Sequence, residues 1–360
     1  MSAPRVLILS APIGGSHDQM ALATQASLAR CGLDVEPVLV SSTGTHGAIL
    51  ESLVLRPARV HIERVGWSYD TAYRLSTSTA TGWRMSSAAL YGLAAAPLRR
   101  LIDVLQPHVV VSTYPMTTTV LGYLRRRRRL AMPVCGVVGP LGGLRPWCAS
   151  GIDLHLVQYP QARAQVAQLS GEHDVQVVRP LIDERFFDPL PRDQARHGLG
   201  LNQRRLVLIS GGAWGAGDID GAVAAALRLP GVGALVVTGR NDARAAALAR
   251  RFAGEPVQVI GFTSQMHVLL AAADVFVTAT SGLSCLEALL RGCPTISYGL
   301  PVAHVIDNAR ALESLGHVRL CHDTGQLTSL LAEALEGGWQ PPPYADNMPE
   351  AGDLIGQLLA

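Results

Sequence analysis

The sequence predicts an α/β protein made of two Rossmann-like, doubly wound halves. Three observations lead there. Short β-branched runs alternate with Ala/Leu-rich helical stretches along the whole chain. A strand that runs into glycines and then a helix occurs twice, at residue 5 (RVLILSAPIGGSH) and at residue 204 (RRLVLISGGAWGAG). The length, 360 residues, exceeds one ordinary core and suits two domains of roughly 150–180 residues.

In the first half, strands are expected at 5–10, 34–40, 108–112, 133–138, 153–158 and 175–178. Helices are expected near 17–31, 84–105, 115–130 and 160–169. The opening apolar run is short, carries Arg5 at its head and ends in glycines, so it reads as a first strand and not a signal peptide. The second half offers strand segments in 204–217, 234–240, 256–262, 274–279 and 294–298. Helices near 218–228, 242–253, 264–273, 284–291, 304–315 and 325–336 separate them. Residues 1–180 and 204–340 would then be the two domains, joined by a Pro- and charge-rich linker over 181–203. The tail, 341–360, breaks at its prolines and ends in a short helix expected to pack back toward the first domain. An active site is expected in the cleft between two such domains.

Composition narrows the function. Hydrophobic residues make up 48% and charged residues 16%, with mean hydropathy +0.23, which excludes a disordered chain. A net charge of +2 gives no basic field for nucleic acid. All 30 basic residues are Arg, which excludes a Lys Schiff base and a Walker-A Lys and fits a GC-rich bacterial genome. Six cysteines without a C-x-x-C pair read as reduced, buried thiols, forming neither a disulfide framework nor a zinc site. No run of about 18 apolar residues spans a membrane. The expected location is the cytoplasm, or the inner face of a membrane held peripherally.

Three loops carry chemistry. In SAPIGGSHDQMA (10–21), Gly14 and Gly15 allow a tight turn and His17 falls at a helix N-terminus. The dipole there keeps imidazole neutral, as a general base requires, while a simple helix cap is the other reading. In SGGAWGAGDIDGA (210–222), backbone N–H groups at a helix start can bind phosphate without a cation. The pattern is not a dinucleotide fingerprint, because the next strand ends in Thr238-Gly239-Arg240 instead of an acidic residue. Asp218 and Asp220 form a D-x-D, readable as a metal ligand or as first-turn acids favoured by the dipole. In TATSGLSCLEALLRGCP (278–294), another helix starts within Ser281–Ser284, and Glu287 is placed either to accept from a ribose diol or to complement the dipole.

The ordered series resembles one glycosyltransferase family of GT-B fold. It contains monogalactosyldiacylglycerol synthases, processive diacylglycerol glucosyltransferases and the lipid II-forming N-acetylglucosaminyltransferase. GGSHDQMA resembles its N-terminal loop with the catalytic His, and PHVVVSTYP (107–115) its proline-bracketed strand. GGAWGAG, TGRN (238–241), GFTSQMHVLLAAADVFVT (261–278) and SGLSCLEALLRGCPTI resemble the donor half, and HVIDNARAL (304–312) carries the matching Asn308. The chain departs from the family at three places. Lys-Pro-Gly-Gly-Leu-Thr reads Ala279-Thr280-Ser281-Gly282-Leu283-Ser284, and Pro-Gly-Gln-Glu reads Pro301-Val302-Ala303-His304. GVVGPLGGLRPW (136–147) lacks the galactolipid Thr-Asp and His.

The resemblance implies an inverting, metal-independent transferase of a hexose or N-acetylhexosamine, with a UDP-sugar as co-substrate and no cofactor. His17 would be the base, with Gly14, Gly15, Asp18, Trp83 and Tyr114 toward the acceptor. Gly211, Gly212, Gly215, Arg240, Phe262, Ser281, Gly282, Leu283, Ser284, Glu287, His304 and Asn308 would hold the donor. The acceptor is an apolar alcohol, diacylglycerol-like or a soluble natural-product aglycone. A UDP-sugar 2-epimerase and a non-catalytic sugar-nucleotide-binding module share the architecture and stay as alternatives. Arg125–Arg129, beside the apolar stretch 82–100 with Trp83, Met85, Leu90 and Tyr91, reads as an anionic-membrane contact or as a solvated helix end.

Overall fold

The computed structural model describes residues 3–12, 15–41, 66–77, 79–171, 174–201, 205–300, 302–344 and 347–359. Gly14 and Pro301, both singled out above, lie outside the described residues. The chain divides into two compact units, Met1–Asp183 with Ala345–Ala360, and Glu184–Tyr344.

Unit 1 is built on six parallel strands: β1 (Arg5–Ser10), β2 (Glu36–Ser41), β3 (Val109–Ser112), β4 (Val134–Val138), β5 (Leu154–Val157) and β6 (Val175–Val177). Their order is β2-β1-β3-β4-β5-β6. The inner strands are continuous apolar runs because helices cover both faces of a parallel sheet. The described helices are α1 (Ser16–Arg30), α2 (Gly66–Thr77), α3 (Ala80–Leu105), α4 (Pro115–Arg126), α5 (Arg163–Ser170) and, from the tail, α13 (Ala351–Gln357). Leu98 and Ile102 of α3 and Leu121 and Leu124 of α4 pack with Leu7, Leu9 and Val110 of the sheet.

Glu350 fastens the tail to this unit. It accepts from Ser27 Oγ at 2.6 Å, Arg30 at 2.7 Å and Arg179 at 3.2 Å, and Gly352 N–H donates to Ser27 Oγ at 2.9 Å. These partners hold the Glu350 carboxyl below its usual range against the opposing effect of burial.

Unit 2 repeats the plan with β7 (Arg205–Ser210), β8 (Val232–Val237), β9 (Val257–Ile260), β10 (Val275–Thr278), β11 (Thr295–Ser297) and β12 (Arg319–Leu320), ordered β12-β11-β10-β7-β8-β9. Its helices are α6 (Arg192–Gly198), α7 (Ile219–Leu227), α8 (Asp242–Arg251), α9 (Met266–Ala272), α10 (Leu283–Leu290), α11 (Ala303–Ser314) and α12 (Thr324–Leu335). In each sheet the chain reverses direction across the strand order, between β1 and β3 in unit 1 and between β7 and β10 in unit 2. Open α/β sheets bind ligands at the carboxyl ends of the strands flanking such a reversal.

Several elements differ from the sequence reading. Residues 184–198, expected as linker, belong to unit 2, where Arg192 and Arg196 of α6 pair with Asp274 at 2.9 and 2.6 Å. Helix α3 starts four residues early because Thr79 Oγ1 accepts from Gly82 N–H and caps it. Helix α4 ends at Arg126 rather than 130, with Arg128 in left-handed backbone at φ 54°.

Candidate functional site

The loops after β1 and β3 meet at the reversal of the first sheet. Gly15, at φ 90°, is the N-cap of α1 and makes no side-chain cap bond. His17 is the second residue of that helix and is 8% exposed. Its Nδ1 lies 2.7 Å from the Thr113 carbonyl oxygen, which can only accept, so Nδ1 carries the proton and Nε2 is the basic nitrogen. Thr113 Oγ1 donates in turn to the His17 carbonyl at 2.9 Å, locking the residue from both sides.

The Tyr114 ring meets the imidazole edge-on, with centroids 5.0 Å apart, and Trp147 lies tilted over it at 5.4 Å. Burial lowers the His17 pKa from 6.5 to about 4, opposed by the Thr113 bond and by the Asp18 carboxylate. Burial is thus what favours the neutral ring. The capping alternative does not hold, since His17 bonds to a neighbouring loop and not to a helix N–H.

Asp18 turns back to the end of β1, accepting from Ser10 Oγ at 2.6 Å. Trp83 sits half-buried on α3 and is not among the rings against His17. Sequence reasoning missed Thr113 and Trp147. Thr113 was signalled by its place just past β3, and Trp147 by the Gly-Gly-x-x-Pro-Trp run that brings an aromatic back over the sheet edge.

In unit 2 the loops after β7, β8 and β10 interlock. Gly215 has φ 60°, and a Cβ there would lie 2.6 Å from the Thr238 carbonyl oxygen. A Cβ on Gly212 would meet Thr280 Cγ2 at 2.9 Å, so the two loops flanking the reversal touch. Arg240 N–H donates to the Ala213 carbonyl at 2.8 Å. Its guanidinium stacks on Phe262 at 4.5 Å, which joins the ends of β8 and β9 and leaves a 55% exposed aromatic.

The N-cap of α10 is Gly282, which has no side chain to cap the first-turn N–H groups. Glu287 is half-buried one turn in, and His304 is half-buried in the first turn of α11. Asn308 is buried and donates to the Ser281 carbonyl at 2.5 Å.

The D-x-D is built into the framework. Asp218 caps α7, accepting from Gly221 N–H at 2.9 Å and from Tyr298 Oη at 2.5 Å. Burial, then this bond, raises the Tyr298 hydroxyl well above its usual range. Asp220 pairs with Arg244 at 2.5 Å and Arg251 at 3.0 Å. Of the two unit 2 helix starts expected to be open, α7 is therefore closed by Asp218, and α10 alone of the pair has no side-chain cap.

In the arginine run Arg126–Arg129 are exposed and Arg125 is half-buried. Arg125 pairs with Asp153 and reaches the Leu130 and Ala131 carbonyls. Arg126 stacks on Tyr123 at 4.5 Å and Arg127 on Tyr91 at 4.4 Å, while Arg129 donates to Tyr91 Oη at 3.2 Å. On α2 and α3, Leu75 and Met85 are 72% and 71% exposed. Among the described residues, no helix is long and apolar enough to cross a membrane.

Comparison with known proteins gives two family-model matches. Residues 17–178 match monogalactosyldiacylglycerol (MGDG) synthase, and residues 194–286 match shikimate/quinate 5-dehydrogenase. The second window covers β7 to β10, the strand–glycine–helix half that many nucleotide-binding sheets share, and it carries no G-x-G-x-x-G.

Over whole chains, the processive diacylglycerol β-glucosyltransferase of Bacillus subtilis is 23% identical over 91% of this chain and 87% of its own. Monogalactosyldiacylglycerol synthase 1, chloroplastic, of Arabidopsis thaliana is 24% identical over 91% of this chain and 64% of its own. Among solved structures, spinosyn rhamnosyltransferase SpnG superposes with TM-score 0.61 at 15% identity, covering 99% of both chains. Acinetobacter baumannii MurG does so with TM-score 0.52 at 16% identity, over 98% of this chain and 99% of its own. The two parallel sheets, the match of residues 17–178 to MGDG synthase and relatives spanning nine-tenths of the sequence make this chain a glycosyltransferase of GT-B fold, similar to the galactolipid synthases and the processive diacylglycerol glucosyltransferases.

Proposed function

We propose that the chain transfers a hexose or N-acetylhexosamine from a UDP-sugar to the hydroxyl of a diacylglycerol-like lipid, with inversion and without a metal. The observation that carries this reading is the His17 ring. Its Nδ1–H is committed to Thr113, so Nε2 can take the acceptor proton as the hydroxyl oxygen attacks the anomeric carbon. Tyr114 and Trp147 give that nitrogen an apolar surround suited to a lipid alcohol.

The UDP diphosphate would lie on the loop after β7 and the uncapped start of α10, whose N–H groups meet the charge that develops as the glycosidic bond to phosphate breaks. Exposed Phe262, steadied by Arg240, would stack on the base, and Glu287 would accept from the ribose hydroxyls. The experiment is a UDP-release screen across donor sugars, run with diacylglycerol vesicles and with soluble aglycones. Release with vesicles supports the lipid acceptor, release with aglycones alone moves the acceptor to natural products, and no release with any pair refutes the transferase reading.

Two expected outcomes follow from the occupied side chains. EDTA leaves the rate essentially unchanged, and Asp220→Asn stays active because the carboxylate serves Arg244 and Arg251. Strict Mg²⁺ dependence, lost in that variant, would overturn the metal-free mechanism.

For the membrane, the stacked Arg126 and Arg127 and the Tyr91-bonded Arg129, with exposed Met85, suit an anionic lipid surface, each near-surface charge contributing about 1 kcal/mol. Changing Arg126–Arg129 to Gln lowers partitioning onto anionic vesicles and flattens its salt dependence. Arg125 is left alone in this variant, because removing it would strand Asp153. Equal partitioning of the two proteins would rule the patch out.

A further inference from the structure

Three described residues other than glycine hold a positive φ: Gln106 at 46°, Arg128 at 54° and Ser281 at 44°. Gln106 and Arg128 are exposed and lie just past the ends of α3 and α4, where left-handed backbone commonly closes a helix. Ser281 is different. It is fully buried, in the loop between β10 and α10, at the position where the family motif quoted above has glycine. A residue with a Cβ keeps this backbone only where its surroundings over-determine it. Two groups do so. The Ser281 and Ser297 hydroxyls share a short hydrogen bond, and Asn308 Nδ2 of α11 donates to the Ser281 carbonyl at 2.5 Å. Both partners are buried, so water does not stand in for either.

We infer that Asn308 is a positioning residue that holds Ser281 in left-handed backbone and thereby aims the N–H groups of residues 282–284. Nucleotide affinity then depends on Asn308 although its amide is spent on the protein's own backbone. The inference rests on the proposal that α10 receives the UDP diphosphate. It also explains why serine is tolerated where the motif has glycine: the conformation that glycine adopts freely is here imposed by the Ser297 and Asn308 bonds.

The test uses the full chain as wild type, Asn308→Leu, Ser281→Gly and the double variant. Leucine keeps the branched heavy-atom skeleton of asparagine but removes the donor. Calorimetry reads UDP affinity, and amide exchange reads the peptide 279–290 in the free protein. Asn308→Leu is expected to weaken UDP about tenfold and to speed exchange of that peptide. In turnover, donor KM rises and kcat falls with it, because the same N–H groups meet the charge that develops as the glycosidic bond breaks. In the Ser281→Gly background the same change costs much less, because glycine needs no clamp.

Equal affinity and exchange in wild type and Asn308→Leu would overturn the inference, as would an equal loss in both backgrounds. If Asn308→Leu does not fold, Ser297→Ala removes the other tether and is expected to act in the same direction. A wild type that does not bind UDP would refute the nucleotide reading instead, and the exchange measurement would still decide the clamp.

Discussion

His17→Ala is expected to lower kcat by about 10²–10⁴-fold, the range a positioned general base contributes, with UDP affinity unchanged because the proposed nucleotide site is in unit 2. The pH profile is the sharper reading. Burial places the His17 pKa near 4, so turnover should stay flat from pH 8 down to about 5. An ordinary imidazole at 6.5 would already have cost most of the rate there. Stability carries the same signature. The folded pKa is lower than the unfolded one, so the unfolded chain takes up the proton first. The stabilisation from keeping His17 neutral is thus present above pH 6.5 and is lost as pH falls toward 4, amounting to about 3 kcal/mol. His155 on β5, buried with both ring nitrogens unpartnered, titrates the same way and keeps some acid sensitivity in the variant. A His17→Ala protein that is nearly fully active, whatever its melting temperature, would refute the base assignment.

Much of this arrangement was legible in the sequence because it is local. A strand that runs into Gly-rich loops and then a helix has one common three-dimensional meaning, so both sheets, their glycine loops and the positions of His17 and Glu287 could be read directly. What escaped depends on contacts between distant segments. Helix α2, GWSYDTAYRLST, lacks a clear apolar stripe, so its pattern gives little signal. Strand β12 is two residues long and exists only because β11 offers it an edge. The D-x-D looked like a possible ligand pair until the fold brought Tyr298, Arg244 and Arg251 to it from 80, 24 and 31 residues away. The arginine run read either as a membrane contact or as a solvated helix end, and the Tyr91 ring that α3 lays beside it could not be read from the run itself. In each case the residue type was readable, and its partner, which decides the role, was set by tertiary packing.

Glu287→Ala is expected to weaken UDP binding itself, in calorimetry without acceptor. A carboxylate hydrogen-bonded to a ribose hydroxyl contributes roughly 1.5–3 kcal/mol, which converts to about a ten- to a hundredfold loss. The competing role is electrostatic: a carboxylate one turn into α10 complements the helix dipole. Its loss would then cost only about 0.3–1 kcal/mol of stability, with no change in affinity. The two are separated by pairing the variant with a ligand change. If Glu287 accepts from the ribose, 2′-deoxy-UDP binds the wild type more weakly than UDP does. In Glu287→Ala the two ligands then bind almost alike, because the protein partner and the ligand partner belong to one interaction. Glu287→Gln, which keeps an acceptor oxygen but not the charge, falls between. A folded Glu287→Ala protein that binds UDP as tightly as wild type, and still prefers it over the deoxy compound by the same ratio, would leave Glu287 to the dipole and send the ribose contact elsewhere in unit 2.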